Sequence, residues 1–148
     1  MNKTGDAAPL FTLKDQDGHD FSLQEHIGKH KLVIYFYPKD ESLICTKDIC
    51  GFRDKFAQYT AAGATVIGIS KDSVQSHKAF IQNHHLPFTL LSDPDNKVLN
   101  LFGVTNNLFG GTGRETFIID TTGKIIYKFR LLWKSKAHPK KALEFLRK

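Results

Sequence analysis

The chain has 148 residues, 41% of them hydrophobic, with a formal net charge of +6 and two cysteines. That size fits one domain over 1–148 with a packed core, which excludes a disordered chain. Two cysteines are too few for a disulfide-stapled secreted scaffold, and no histidine stands at the usual zinc spacing from them. The basic residues are spread along the chain, a pattern of a solvated face rather than a nucleic-acid surface. No apolar leader develops at the N-terminus, and the longest apolar run, residues 32–37, is too short to span a bilayer. The expectation is a cytoplasmic protein without membrane contact.

In chain order, Phe11 and Leu13 face Phe21 and Leu23 across Asp17-Gly18, a strong turn pair, which predicts a hairpin. Gly28 closes a short turn or helical piece. LVIYFY, 32–37, is rich in β-branched and aromatic residues and predicts a buried central strand that Pro38 stops. A loop over 39–44 leads into a helix with an apolar stripe at Ile49, Phe52 and Phe56, closing near Gly63. TVIGIS, 65–70, is a second buried strand. Asp72 or Ser73 caps a helix whose apolar side holds Val74, Phe80 and Ile81, with His77 on its surface and His84-His85 at its end before Pro87.

Phe88 to Leu91 predicts a short strand, and Asp93-Pro94 opens a short helix with Val98, Leu99 and Phe102. Strands at 116–120 and 125–129 form a hairpin about Thr122-Gly123, and a last helix covers 139–147 with Leu143 and Leu146 inward. Alternating strands and helices with an antiparallel hairpin near the end make an α/β fold around a mixed sheet. A Rossmann nucleotide domain is the competitor, but no glycine-rich turn follows 32–37, and Gly110, Gly111 and Gly113 lack the lysine of a phosphate loop.

The chemistry sits in YPKDESLICTKDICGFRD, 37–54. Cys45 arrives at a helix start, where unpaired amides and the helix dipole favour a thiolate. Attack on a carbonyl needs a nearby base, and His30 and His77 could approach only through the fold. Attack on a peroxide needs less: the sulfur displaces one oxygen, and a hydroxyl and a guanidinium stabilise the charge. Ser42 and Arg114 are the candidates. In an unbroken helix Cys45 and Cys50 lie about 140° apart around the axis and roughly 8–9 Å between Cα atoms, beyond the approximate 7 Å disulfide limit. They bridge only if the first turns unwind. Two readings of Cys50 stand at this point: the partner of an oxidised Cys45, or a small buried hydrophobe.

The segment resembles the peroxiredoxins, specifically the bacterioferritin comigratory protein or peroxiredoxin Q subfamily. Pro38, Ser42 and Cys45 fall on the family's proline–hydroxyl–cysteine motif, and Cys50 on the subfamily's second cysteine. FYPKD (36–40), CTKDIC (45–50), LLSDPD (90–95) and RETFIID (114–120) extend the likeness over nearly the whole chain. The resemblance implies a thioredoxin-like fold with an N-terminal β-hairpin extension. It implies a peroxidatic Cys45, a resolving Cys50, and a Ser42 that bonds the substrate oxygen. Arg114 would hold the thiolate and polarise the peroxide, and Pro38 would shield the sulfur. It implies reduction of hydrogen peroxide and organic hydroperoxides, recycling by thioredoxin or a related dithiol protein, no cofactor or metal, and a monomer or, in some relatives, a dimer.

Three positions depart from the pattern. Ser42 stands for the commoner threonine, Leu43-Ile44 for Pro-Gly, and Asp48 for glutamate, where it suits a helix first turn. The two apolar residues fit organic hydroperoxides, a partner surface or packing equally. Tyr37 and Trp133 are core or partner contacts. Two other functions share the features: a dithiol–disulfide oxidoreductase, which would favour Cys-x-x-Cys, and a peroxide-sensing redox switch, for which no output module is visible.

Overall fold

The computed structural model describes residues 3–104, 114–130 and 136–148. Gly110, Gly111, Gly113 and Trp133 lie outside them. The strands are β1 (Thr12–Asp15), β2 (Asp20–Ser22), β3 (Lys31–Phe36), β4 (Ala64–Ser70), β5 (Thr89–Ser92), β6 (Glu115–Ile119) and β7 (Ile125–Arg130). The helices are α1 (Leu43–Asp54), α2 (Phe56–Ala61), α3 (Val74–His84), α4 (Lys97–Leu101) and α5 (Ala137–Leu146), with one 3-10 turn at Leu23–Glu25.

The described strands form one sheet in the order β2-β1-β5-β4-β3-β6-β7. β3, β4 and β5 run parallel, while β1, β6 and β7 pair antiparallel. This is the expected thioredoxin-like mixed sheet, and the β1–β2 hairpin is added at the β5 edge. β3 is central because its side chains are apolar on both faces, as a strand covered from both sides requires. In register, Val33 lies between Val66 of β4 and Ile118 of β6.

The period of two along β3 divides the core. Leu32, Ile34 and Phe36 pack with Ile67, Phe102 and Phe117 on one face. Val33, Tyr35 and Tyr37 pack with Ile49, Phe52, Phe80 and Leu143 on the other. That second layer sets α1 over Tyr35 and Tyr37. Tyr37 belongs to the core, 1% exposed. Truncating Phe52 to alanine would cost about 3–5 kcal/mol.

α1 reaches so close to α5 that a Cβ on Gly51 would stand 2.6 Å from Pro139 Cγ. Glycine there is a packing requirement, and it outweighs glycine's cost in a helix interior. One expectation changes at the end of α1. The predicted helix divides at Lys55, whose backbone leaves helical values. Ile49 and Phe52 face the sheet, whereas Phe56 turns toward Phe88, with ring centroids 6.4 Å apart. The final helix begins two residues early, at Ala137, and Leu146 is only partly buried.

A second expectation is overturned. His77 is not on the surface of α3; it is fully buried. Its Nδ1 lies 2.8 Å from Asp40 Oδ2 and its Nε2 2.9 Å from the Leu91 carbonyl. The buried Asp40 also accepts from Tyr37 (2.6 Å) and Ser76 (2.8 Å). A polar side chain enters the core when each of its polar atoms is paired, and here the partners come from three other segments.

Candidate active site

The site grows from the junction of β3 and α1. After β3 the chain passes through Tyr37 and the half-buried Pro38, then a turn in which Glu41 takes φ 63°. Ser42 is the N-cap of α1, in extended conformation. Its hydroxyl donates to the Lys39 carbonyl at 3.0 Å rather than capping the helix. Cys45 is therefore the third residue of α1. It is 1% exposed and belongs to the apolar layer of Tyr35, Ile49 and Phe52.

Burial pushes the Cys45 thiol up. The neighbouring Ser42 hydroxyl and Lys39 backbone, then the Arg114 guanidinium, act the other way, and the Asp48 carboxylate adds to the upward shift. The thiolate preference expected of a helix start does not prevail here, because burial of the sulfur raises the thiol.

Arg114 is buried, immediately before β6. Its guanidinium pairs with Asp48 through Nε at 3.1 Å and through a shorter Nη2 contact, and Nε also faces the Tyr35 hydroxyl at 3.4 Å. Asp48 is not in the first turn of α1, and it is not a surface charge. It is fully buried in the second turn, accepting from Tyr35 at 2.6 Å and from the Lys136 amide at 2.8 Å. Its burial is tolerable because a cation and two further donors satisfy it. β3, α1, β6 and the start of α5 thus converge on one carboxylate, and Arg114 is oriented beside Cys45.

Cys50 is partly exposed, on the same intact helix, and both thiols are free. α1 thus holds the two sulfurs at helical spacing, which a disulfide cannot span without unwinding. Ile49 and Phe52, both 0% exposed, pack α1 into the core layer on the sheet. Leu43 is 72% exposed, so packing does not account for it.

Ser42, Cys45 and Arg114 are brought together, and Pro38 lies at the same junction. Three residues escaped the sequence reading: Asp48 as a buried anchor, Tyr35 as its hydroxyl partner, and His84, whose Nδ1 lies 3.9 Å from Cys50 Sγ. The available signals were a hydroxyl on the strand read as buried, at Tyr35, and the spacing of Asp48 four residues before Phe52.

Residues 4–128 match the AhpC/TSA family. The chain is 47% identical over 143 residues to the chloroplastic peroxiredoxin Q of Suaeda salsa, covering 96% of this chain and 66% of that protein. The chain belongs to the AhpC/TSA family, in its peroxiredoxin Q branch. It spans slightly less than two thirds of the plant peroxiredoxin Q's length. The structure superposes on peroxidoxin BcpB of Mycobacterium tuberculosis with a TM-score of 0.90 and 35% identity, covering 99% and 97% of the two chains. It also superposes on the bacterioferritin comigratory protein of Xanthomonas campestris, known in complexes that bear on alkyl peroxide reduction, with a TM-score of 0.84 and 32% identity over 96% and 98%.

Proposed function

We propose that this chain is a thiol peroxidase that reduces hydrogen peroxide and organic hydroperoxides with Cys45 and resolves with Cys50. The observation that carries it is a buried Cys45 flanked by a hydroxyl and an anchored guanidinium, with a second free thiol on the same helix.

The Cys45 thiolate attacks one peroxide oxygen. The S–O bond forms as O–O breaks, and the departing alkoxide or hydroxide leaves as alcohol or water after taking a proton. Ser42 orients the peroxide, Arg114 stabilises charge on the oxygens, and Pro38 limits solvent at the sulfur. Cys45 is left as a sulfenic acid. The first turns of α1 unwind, and the Cys50 thiol condenses with it, forming S–S and releasing water. Thioredoxin or a related dithiol protein then reduces the disulfide by exchange. Leu43, exposed beside the site, suits contact with an organic hydroperoxide or with that reductant.

The test is peroxide consumption by the reduced protein with and without a thioredoxin system. Multiple turnovers that vanish in Cys45→Ser support the reading. One oxidation without recycling by any dithiol protein would point to a redox switch. Disulfide exchange without peroxide loss would point to a dithiol oxidoreductase.

A further inference from the structure

The resolving cysteine has its own polar surroundings, separate from those of Cys45. His84, the last residue of α3, places Nδ1 3.9 Å from Cys50 Sγ. On the far side of the ring, Nε2 lies 2.8 Å from Glu41 Oε1. The other Glu41 oxygen accepts from Asn83 Nδ2 at 3.0 Å. Arg53 Nη1 donates to the His84 carbonyl at 2.8 Å, tying the end of α3 to α1. The ring also stands edge-on to Phe80, with centroids 5.1 Å apart. Glu41 and Phe80 thus hold the imidazole, Arg53 holds its backbone, and the second ring nitrogen faces a sulfur.

The tautomer follows from the partners. A carboxylate only accepts, so in the neutral ring Nε2 carries the hydrogen and the Nδ1 lone pair faces the thiol. We propose that His84 is the general base of the resolving half-reaction, with Glu41 as the positioning residue that fixes its tautomer. This rests on the peroxidase reading above and deepens it.

The step balances as follows. His84 Nδ1 takes the Cys50 S–H proton. The thiolate attacks Cys45 Sγ in its sulfenic form, S–S forms, and the S–O bond breaks with its electron pair on oxygen. The leaving hydroxide takes the proton from the imidazolium and departs as water. No outside oxidant or reductant enters. The need for a base is real, because burial pushes the Cys50 thiol up. Arg53 and Lys136 oppose that shift, while Asp54 and Glu41 reinforce it. Hydrogen bonds from Asn83 and His84 hold the Glu41 carboxyl below its ordinary value, so it stays charged opposite the ring.

Position couples this step to unwinding. Glu41 lies in the turn before α1, two residues before the helix begins, whereas Cys50 lies in its second half. Unwinding the first turns carries Glu41 away from His84. The imidazolium then loses its carboxylate as the sulfurs meet, which favours release of its proton to the leaving oxygen.

The experiment follows one turnover of the reduced full chain with hydrogen peroxide, quenched at intervals. Dimedone capture reports the Cys45 sulfenic acid, and mass spectrometry reports the disulfide. Sulfenic acid decay in the wild type should rise with pH through one inflection and level off. His84→Asn should slow it about 10²-fold at neutral pH and remove that inflection, leaving the steeper dependence of an unassisted thiol. Glu41→Gln should slow it less and keep the inflection. Formation of the sulfenic acid is the control for folding. Equal decay in wild type and His84→Asn at every pH would overturn the assignment, as would a matching loss in the control step. Absence of any sulfenic acid on wild-type Cys45 would instead overturn the peroxidase reading itself.

Discussion

Cys45 and Cys50 share α1, yet the two ends of the helix meet different surroundings. Cys45 is 1% exposed and is flanked by a hydroxyl, a backbone group and a guanidinium anchored by a buried carboxylate. Cys50 is partly exposed and faces an imidazole backed by a surface carboxylate. Burial raises both thiols. What differs is the kind of help at hand. One end is equipped to stabilise negative charge on an oxygen, the other to move a proton. The difference matches the two half-reactions, since the first builds charge on the peroxide and the second deprotonates a thiol.

The sharpest break in this comparison is to remove each sulfur. Cys45→Ser should abolish peroxide consumption altogether. Cys50→Ser should still consume one equivalent and accumulate sulfenic acid, visible by dimedone labelling and mass spectrometry. Next comes the anchored guanidinium. Arg114→Gln should slow Cys45 oxidation about 10²-fold and leave resolution by Cys50 unchanged. Because it strands Asp48 as an unpaired buried charge, it should also cost about 3–5 kcal/mol in urea unfolding.

The thiol titrations give a third test. Burial holds the Cys45 thiol up in the reduced protein. The thiolate fraction, and with it single-turnover oxidation, should climb about tenfold per pH unit until the titration midpoint. Asp48→Asn removes a carboxylate that raises this thiol, so the midpoint should move down. Iodoacetamide alkylation of Cys45 against pH measures both. The smallest effect is expected from Ser42→Ala. Loss of one hydrogen bond, about 1 kcal/mol, should slow Cys45 oxidation roughly fivefold and leave the Cys50 step unaltered.

Much of the site was legible locally. The run at 32–37, the stop at Pro38 and the apolar stripe at Ile49 and Phe52 place Cys45 at a helix start. The spacing to Cys50 places both sulfurs on that helix. Arg114 was recognisable through the motif it opens. The charged residues behave otherwise. Asp48 reads as an ordinary helical carboxylate, and His77 as a polar position on an amphipathic helix. Each is fully buried because its partner arrives from far along the chain: Arg114, 66 residues after Asp48, and Asp40, 37 residues before His77. His84 follows the same logic, 34 residues from Cys50.

Local residue patterns were enough to set the order of strands and helices, the central buried strand, the helix that begins near Cys45 and the demand that this helix unwind before the sulfurs join. These follow from periodicity, proline geometry and helix pitch, all properties of neighbouring residues. Which charges are buried, and what they orient, depends on packing between segments far apart in the chain. An ionised side chain enters the interior when its counter-charge and donors are already in place. For Asp48 they come from β3, β6 and the start of α5, and at Cys50 the base comes from the end of α3.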